Sequence, residues 1–318
     1  MVEMFYTLSV ALPVTFAALG TGIGQGLIGL ASLKALNIQP HAATEINRMS
    51  LIGMSLTETA GILGCVVSLV LFFDTSIPAS YEYAAYGKIG IALAIGLSSL
   101  AAGIASSLPA QAACLSVARQ PFFSNKILQF MLITQTVIMT PNIFGFVMAL
   151  LINTKTQAAC NLPGGLQLLA AGLAIGLGSI GPCIGLSIFA HAACMAIGVN
   201  RKAYGKILAF TFLSEGIIET PAIFALLISL IIWNFDVVST TSDLQGIGFL
   251  AAALCIGLST MGTGISGGKT GATACTQIGN NPDVYSTISR IGFLALAMID
   301  TFAIYGFIVS IILIYFAA

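Results

Sequence analysis

Eight apolar stretches, each near thirty residues long, limit what this chain can fold into more than any other feature: 5–35, 44–73, 84–117, 123–152, 164–197, 203–234, 244–278 and 283–317. About 20 residues of helix cross a bilayer core, and a segment in lipid must satisfy its own backbone, so each stretch reads as a transmembrane helix that projects past the hydrocarbon. Composition agrees, because 58% hydrophobic and 7% charged residues lie outside the range of soluble globular chains. The first stretch follows Glu3 with no basic region before it and is too long for a cleaved leader, so it is expected to remain.

The stretches repeat in pairs. "TETAGILG" (Thr57 to Gly64), "MTPNIFGF" (Met139 to Phe146), "ETPAIFAL" (Glu219 to Leu226) and "DTFAIYGF" (Asp300 to Phe307) align when Glu58, Met139, Glu219 and Asp300 are stacked, at spacings of 81, 80 and 81 residues. Each copy then has threonine next: Thr59, Thr140, Thr220 and Thr301. The first helices align through "LGTGIGQG" (Leu19 to Gly26), "IGPCIGLS" (Ile180 to Ser187) and "MGTGISGG" (Met261 to Gly268), with "GIASSL" (Gly103 to Leu108) a looser copy. The expected fold is all-α: eight transmembrane helices as four tandem, parallel-repeat hairpins, bounded at 1–79, 80–160, 161–241 and 242–318. Parallel repeats differ from the inverted repeats common in secondary transporters.

Of eleven Lys and Arg, eight lie in or beside the hairpin turns (Lys34, Arg48, Arg119, Lys126, Arg201, Lys202, Lys206, Arg290). The opposite ends carry only Lys88 and Lys155, together with Glu3, Asp74, Glu82, Asp236 and Asp243. The positive-inside rule therefore puts the turns in the cytoplasm and both termini on the other side. Glycines separate the two helices of a hairpin: Gly20, Gly22, Gly24 and Gly26, then Gly172, Gly176, Gly178, Gly181 and Gly185, then Gly262, Gly264, Gly267, Gly268 and Gly271 leave a strip nearly free of side chains on the first helices. Close backbone approach along such a strip is how membrane helices associate, and bulky second helices would form an outer layer. The seven cysteines, mostly within apolar runs, read as small buried hydrophobes.

The glycine strip, the Arg119-Gln120-Pro121 turn, and a mid-helix acid followed by a hydroxyl and, five positions after the acid, an aromatic (Asp300, Thr301, Tyr305) resemble the proteolipid, or c-ring protein, of rotary ATP synthases, four times over. The resemblance implies an arc of a membrane ring in which Glu58, Glu219 and Asp300 each carry a proton or a sodium ion past a stator that bears an essential arginine. It implies further copies in the ring, surrounding lipid, no nucleic acid, and a central stalk gripping Gln39, Arg119, Gln120, Asn280 and Asn281 at the turns. Vacuolar-type proteolipids are the near alternative. A self-contained eight-helix transporter or channel, with the acids around one central pathway, is the distant one.

The physics of the acids agrees with that role. A charged carboxylate at the bilayer centre costs roughly 2.5–3.5 kcal/mol on insertion scales, so the neutral or ion-paired form is favoured in lipid. Thr59, Thr220 and Thr301 are expected beside the acids, and Tyr305 is expected to orient Asp300; its equivalents Leu63, Phe144 and Phe224 have no hydroxyl. Gln25 matches a first-helix glutamine that resembles a sodium ligand in some members, so Glu58 and Gln25 would hold the ion if sodium is carried. Its equivalents Ser106, Leu186 and Gly267 break that pattern, and protons are favoured. Met139 cannot carry an ion, which makes the second hairpin silent and leaves three sites per four hairpins. Glu215, one turn before Glu219, either shares the ion or hydrogen-bonds the main acid, and Lys269 snorkels, faces the ring lumen or pairs with Asp300. Pro141 and Pro221 are expected to bend their helices. No nucleotide loop, metal cluster or nucleophile constellation appears, so catalysis and cofactors are not expected in this chain.

Overall fold

The computed structural model describes residues 2–74, 83–236 and 243–317. Glu82 and the side chain of Glu3 lie outside what is described, as do the expected hairpin boundaries at 79/80 and 241/242. The boundary at 160/161 falls just before a helix that starts at Leu162, capped by the Asn161 side chain accepting from Gly164 N (2.9 Å).

The elements are α1 (Val2–Ile38), α2 (Ala43–Phe73), α3 (Ala84–Ala105), α4 (Ser107–Arg119), α5 (Ser124–Lys155), α6 (Leu162–Val199), α7 (Tyr204–Asn234), α8 (Asp243–Asn280) and α9 (Tyr285–Ala317). Eight stretches among the described residues are long and apolar enough to span a membrane. The third is divided at Ser106 into α3 and α4, a correction to the expected single helix. Pro109 accounts for it, because proline has no N–H for the carbonyl of Ala105. Elsewhere proline leaves the helix intact: α5 and α7 run unbroken through Pro141 and Pro221.

The hairpins stand in sequence order in two layers, with α1, α3–α4, α6 and α8 inner and α2, α5, α7 and α9 outer. Each inner helix packs on the inner helices before and after it, and glycine makes that possible. A methyl group at Gly103 would meet the backbone of Gly20 and Thr21, one at Gly172 that of Gly90, and one at Gly185 that of Gly264. Gly22 and Gly26 on α1 and Gly262 on α8 have nothing within 4 Å, because these two helices lack an inner neighbour on one side. In the middle inner spans 72% of the most apolar window is buried, against 33% in α1 and 39% in α8, which marks those two as the exposed ends of the row.

Polar groups stitch the layers where lipid offers no hydrophobic drive. Ser229 Oγ donates to Ala171 O (2.6 Å) and Ser310 Oγ to Ala252 O (3.0 Å), while Ser68 Oγ accepts from Val14 N (3.1 Å). These serines occupy one repeat position and clamp α2, α7 and α9 to their own inner partners; α5 has Ala149 there. At the turns Gln120 Nε2 donates to Gly198 O (2.9 Å) and Asn200 Nδ2 to Gly279 O (3.0 Å), so the amide of one turn holds the end of the next inner helix.

The two lysines that depart from the charge asymmetry are both engaged. Lys155 Nζ donates to Trp233 O (2.7 Å) and Phe235 O (3.1 Å) and sits 4.5 Å above the Trp233 ring, a cation at a helix C-terminus. Trp233, expected as an interfacial anchor, also donates from Nε1 to Leu151 O (2.8 Å) and so ties α7 to α5. Lys88 is fully buried and forms an ion pair with Asp74, with the Tyr6 ring 5.8 Å away. Replacing Lys88 by Met removes the buried cation of this pair, and losing one partner of a buried pair costs about 3–5 kcal/mol. The expected result is a markedly lower midpoint for loss of helical circular dichroism in detergent; an unchanged midpoint would mean the pair adds nothing.

Candidate ion-carrying site

The acids occupy one repeat position on the outer helices, and Glu219 and Asp300 look toward the hairpin before their own. Glu219 of α7 is half-buried, and its carboxyl faces Thr140 on α5. Asp300 of α9 lines a small cleft with Ile217, Ile218 and Pro221 of α7 and Thr263 and Gly267 of α8, and its Oδ1 is buried without a partner. Met139 of α5 occupies the equivalent place against α2, in an apolar cavity of about 480 Å³ lined also by Leu56, Thr59, Leu63, Gln135 and Asn142. Glu58 of α2 has no preceding hairpin in the chain and is exposed.

This geometry changes which residues belong together. Thr59, expected beside Glu58, instead faces the Met139 cavity on the next hairpin and donates to Leu56 O (2.7 Å). Thr220 donates to Gly216 O (2.9 Å) and Thr301 to Met298 O (2.6 Å), both within their own helices. Thr140 is the threonine that faces Glu219, and it comes from the hairpin with Met139 in place of the acid. Its signal in the sequence is the retention of threonine where the acid is lost. Tyr305 is 60% exposed and stacks edge-on to Phe302 (5.9 Å); Asp300 Oδ1 receives no bond from it.

Gln25 Nε2 donates to Met54 O (3.3 Å), one turn before Glu58 within the same hairpin. Gln135 acts as a lock: its Nε2 donates to Ser106 O on its own inner layer (2.8 Å) and to Gly53 O on α2 (3.3 Å). Lys269 is exposed and in register with Leu27, Leu108 and Ile188, the partly exposed stripe of inner helices turned away from the outer layer. Among the described residues Lys88–Asp74 is the ion pair found, so Lys269 does not neutralise Asp300. No group of three or more His, Cys, Asp or Glu able to hold a metal occurs among them either.

At the turn end, Arg119, Gln120, Pro121, Phe122, Phe123, Asn200, Arg201 and Lys202 surround an open cavity of about 480 Å³, and Phe122 is fully exposed. Gln39, Asn280 and Asn281 lie in the equivalent first and fourth turns, where Asn281 Oδ1 accepts from Asp283 N (3.3 Å).

Carboxyls at one repeat position of successive helical hairpins, in a chain otherwise almost free of membrane charge, are the pattern of a membrane proteolipid. The family of the ATP synthase C subunit matches residues 8–71, 89–152, 169–232 and 250–313, one match per hairpin. The chain belongs to this ATP synthase C-subunit family. It is 28% identical over 227 residues to the K subunit of the A-type ATP synthase of Methanocaldococcus jannaschii, a match that covers 71% of this chain and 94% of that one. Single-hairpin relatives match one repeat: the ATP synthase c subunit of Dehalococcoides mccartyi is 49% identical over 67 residues (21% of this chain, 88% of that one). That of Chloroflexus aurantiacus is 40% identical over 68 residues, 21% of this chain and 90% of that one.

Proposed function

We propose that this chain is a rotor component of a rotary ATP synthase or ATPase in which Glu58, Glu219 and Asp300 each carry one proton, while the second hairpin carries none. The observation that supports this most is the split site: Glu219 on one hairpin, the Thr140 it faces on the hairpin before. An acid in that position meets lipid only in its neutral form and can ionise when a wet gate and a stator arginine pass over it.

The same rule leaves Glu58 at the open end of the row, where the α9 edge of another copy, with Thr301 and Tyr305 upon it, would complete its site. Tyr305 then serves Glu58 of the neighbouring copy rather than Asp300. The set around Gln25 and Glu58 suits sodium in only one repeat, which favours protons. The basic turns with the exposed Phe122 suit a stalk partner on the cytoplasmic side, met through Gln39, Arg119, Gln120, Asn280 and Asn281. ATP is hydrolysed or made on other subunits.

Dicyclohexylcarbodiimide, which reacts with protonated acids in lipid-accessible positions, tests the reading. The expected result on the purified assembly is modification of Glu58, Glu219 and Asp300, detected by peptide mass spectrometry, and none in the peptide containing Met139. Acids that resist the reagent in the intact assembly would argue for a private internal pathway instead.

A further inference from the structure

Glu215 on α7 is the most buried acid among the described residues, 2% exposed, and both its carboxyl oxygens lack a hydrogen-bond partner. Thr211 and Ser214, within about one turn of it and fully buried, also present unpartnered hydroxyl oxygens. Four orphan oxygens at one spot in a lipid-embedded fold call for something to satisfy them, since buried polar groups are otherwise paired. Thr211, Glu215 and Glu219 follow at intervals of four residues, on one face of the helix and about 6 Å apart along its axis. The column therefore runs from the turn-side half of the membrane to the carrier acid.

The equivalent residue in the second hairpin shows what the position asks for. Gln135 donates from its amide to both Gly53 O and Ser106 O. An ionised Glu215 has no hydrogen to give; a neutral one has a single O–H. Titratable groups near the pair from the packed helices are the buried thiols Cys183 of α6 and Cys275 of α8. Helix α5 presents Thr140, and Asp300 of α9 lies across α7 in the cleft with Ile217 and Pro221. The nearest charge that could form beside Glu215 is thus Glu219 itself.

We propose that Glu215 is a second proton-holding acid of the hairpin-3 site: its neutral carboxyl donates to the Glu219 carboxylate formed when Glu219 discharges, and the pair alternates between two protons and one. The proton released is one of the two, the other stays shared between the carboxyls, and no further reactant takes part. A second loss would leave two like charges at mid-membrane, so the last proton stays. This inference rests on the rotor reading, and it makes hairpin 3 discharge more readily than hairpins 1 and 4.

The test is the pH profile of carbodiimide modification, read separately at each acid in the assembled ring. In Glu215→Leu, modification of Glu219 should persist to about one pH unit further alkaline than in the unaltered ring, as expected when a donor to the ionised form is lost. Glu215→Gln should move it in the same direction by less, and Glu58 and Asp300 should not move. Should Glu215→Leu fail to assemble, infrared spectra decide with Glu215→Gln. The protonated-carboxyl band that outlasts modification of the three carriers in the unaltered ring should vanish in the variant. An unmoved Glu219 profile, a persisting band in Glu215→Gln, or Glu215 modified as fast as Glu219 would overturn the proposal. Failure of all three carriers to react would instead overturn the rotor reading on which it stands.

Discussion

Replacing Glu219 by Gln is expected to stop ATP-driven proton uptake into inverted vesicles, whereas Asp300→Asn should leave a measurable fraction. The order of positions along the row is Glu58, Met139, Glu219, Asp300. Loss of Glu219 joins two hairpins without an acid at the carrier position, the second and third, and Glu215 lies buried a turn away, so on the proposed scheme a stator arginine would pass both with no carboxylate within reach. Loss of Asp300 leaves each blank flanked by acids on both sides. An ion pair at about 4 Å in a medium of effective dielectric ~20 is worth about 4 kcal/mol, and if that is lost from the barrier the step slows on the order of a thousandfold. Glu58→Gln should behave like Glu219→Gln, because it also doubles the gap around Met139. Acidification of the vesicle lumen, followed by a pH-sensitive dye, measures all three. Equal loss in Asp300→Asn and Glu219→Gln would show that the sequence of blanks is irrelevant.

The second large effect is steric. Gly185→Leu should abolish assembly, with the chain recovered as aggregate or degraded, because even a methyl group at this position falls on the carbonyl of Gly264 and no flexible side chain can yield. Overpacking in a core that can shift costs about 1–3 kcal/mol; here two helix backbones would have to part along their length, and the cost exceeds that range. Gly216→Ala is the control, since nothing lies within 4 Å of its added methyl and the equivalent positions Ser55, Thr136 and Ala297 already carry side chains, and it should assemble normally. Size-exclusion chromatography and circular dichroism of the two proteins separate the outcomes. A well-assembled Gly185→Leu protein would mean that the inner helices are not held by glycine contact.

Much of this architecture is written in the order of residues. Length and hydropathy set the spans, the 80- or 81-residue spacing of Glu58, Met139, Glu219 and Asp300 sets the repeat, and the glycine strip sets the inner layer. What spacing along a chain does not carry is which hairpin supplies the other half of a site. Thr140 resembles a remnant in a repeat that has lost its acid because the acid it faces, Glu219, is 79 positions away and on another helix. Its place emerges only when hairpins are laid side by side.

The same limit applies to the ties between hairpins. Lys88 and Asp74 both belong to the far side by charge counting, yet burial of the lysine turns the pair into a clamp. Asn200 reads in the sequence as turn polarity, and its bond to Gly279 O requires the next hairpin to be in position. The break at Ser106 is legible in principle, since Pro109 removes the donor that a continuous helix needs there. It is hidden because Pro13, Pro141, Pro182 and Pro221 are absorbed without interruption.

A high-resolution image of the purified assembly in a lipid disc puts the whole scheme to its hardest test. A rotor built from this chain alone must appear as a closed ring with a hairpin number divisible by four, every acid between neighbouring outer helices, and Glu58 of each copy against Thr301 and Tyr305 of the next. A lone eight-helix molecule with Glu58, Glu219 and Asp300 converging on an internal pore would contradict it.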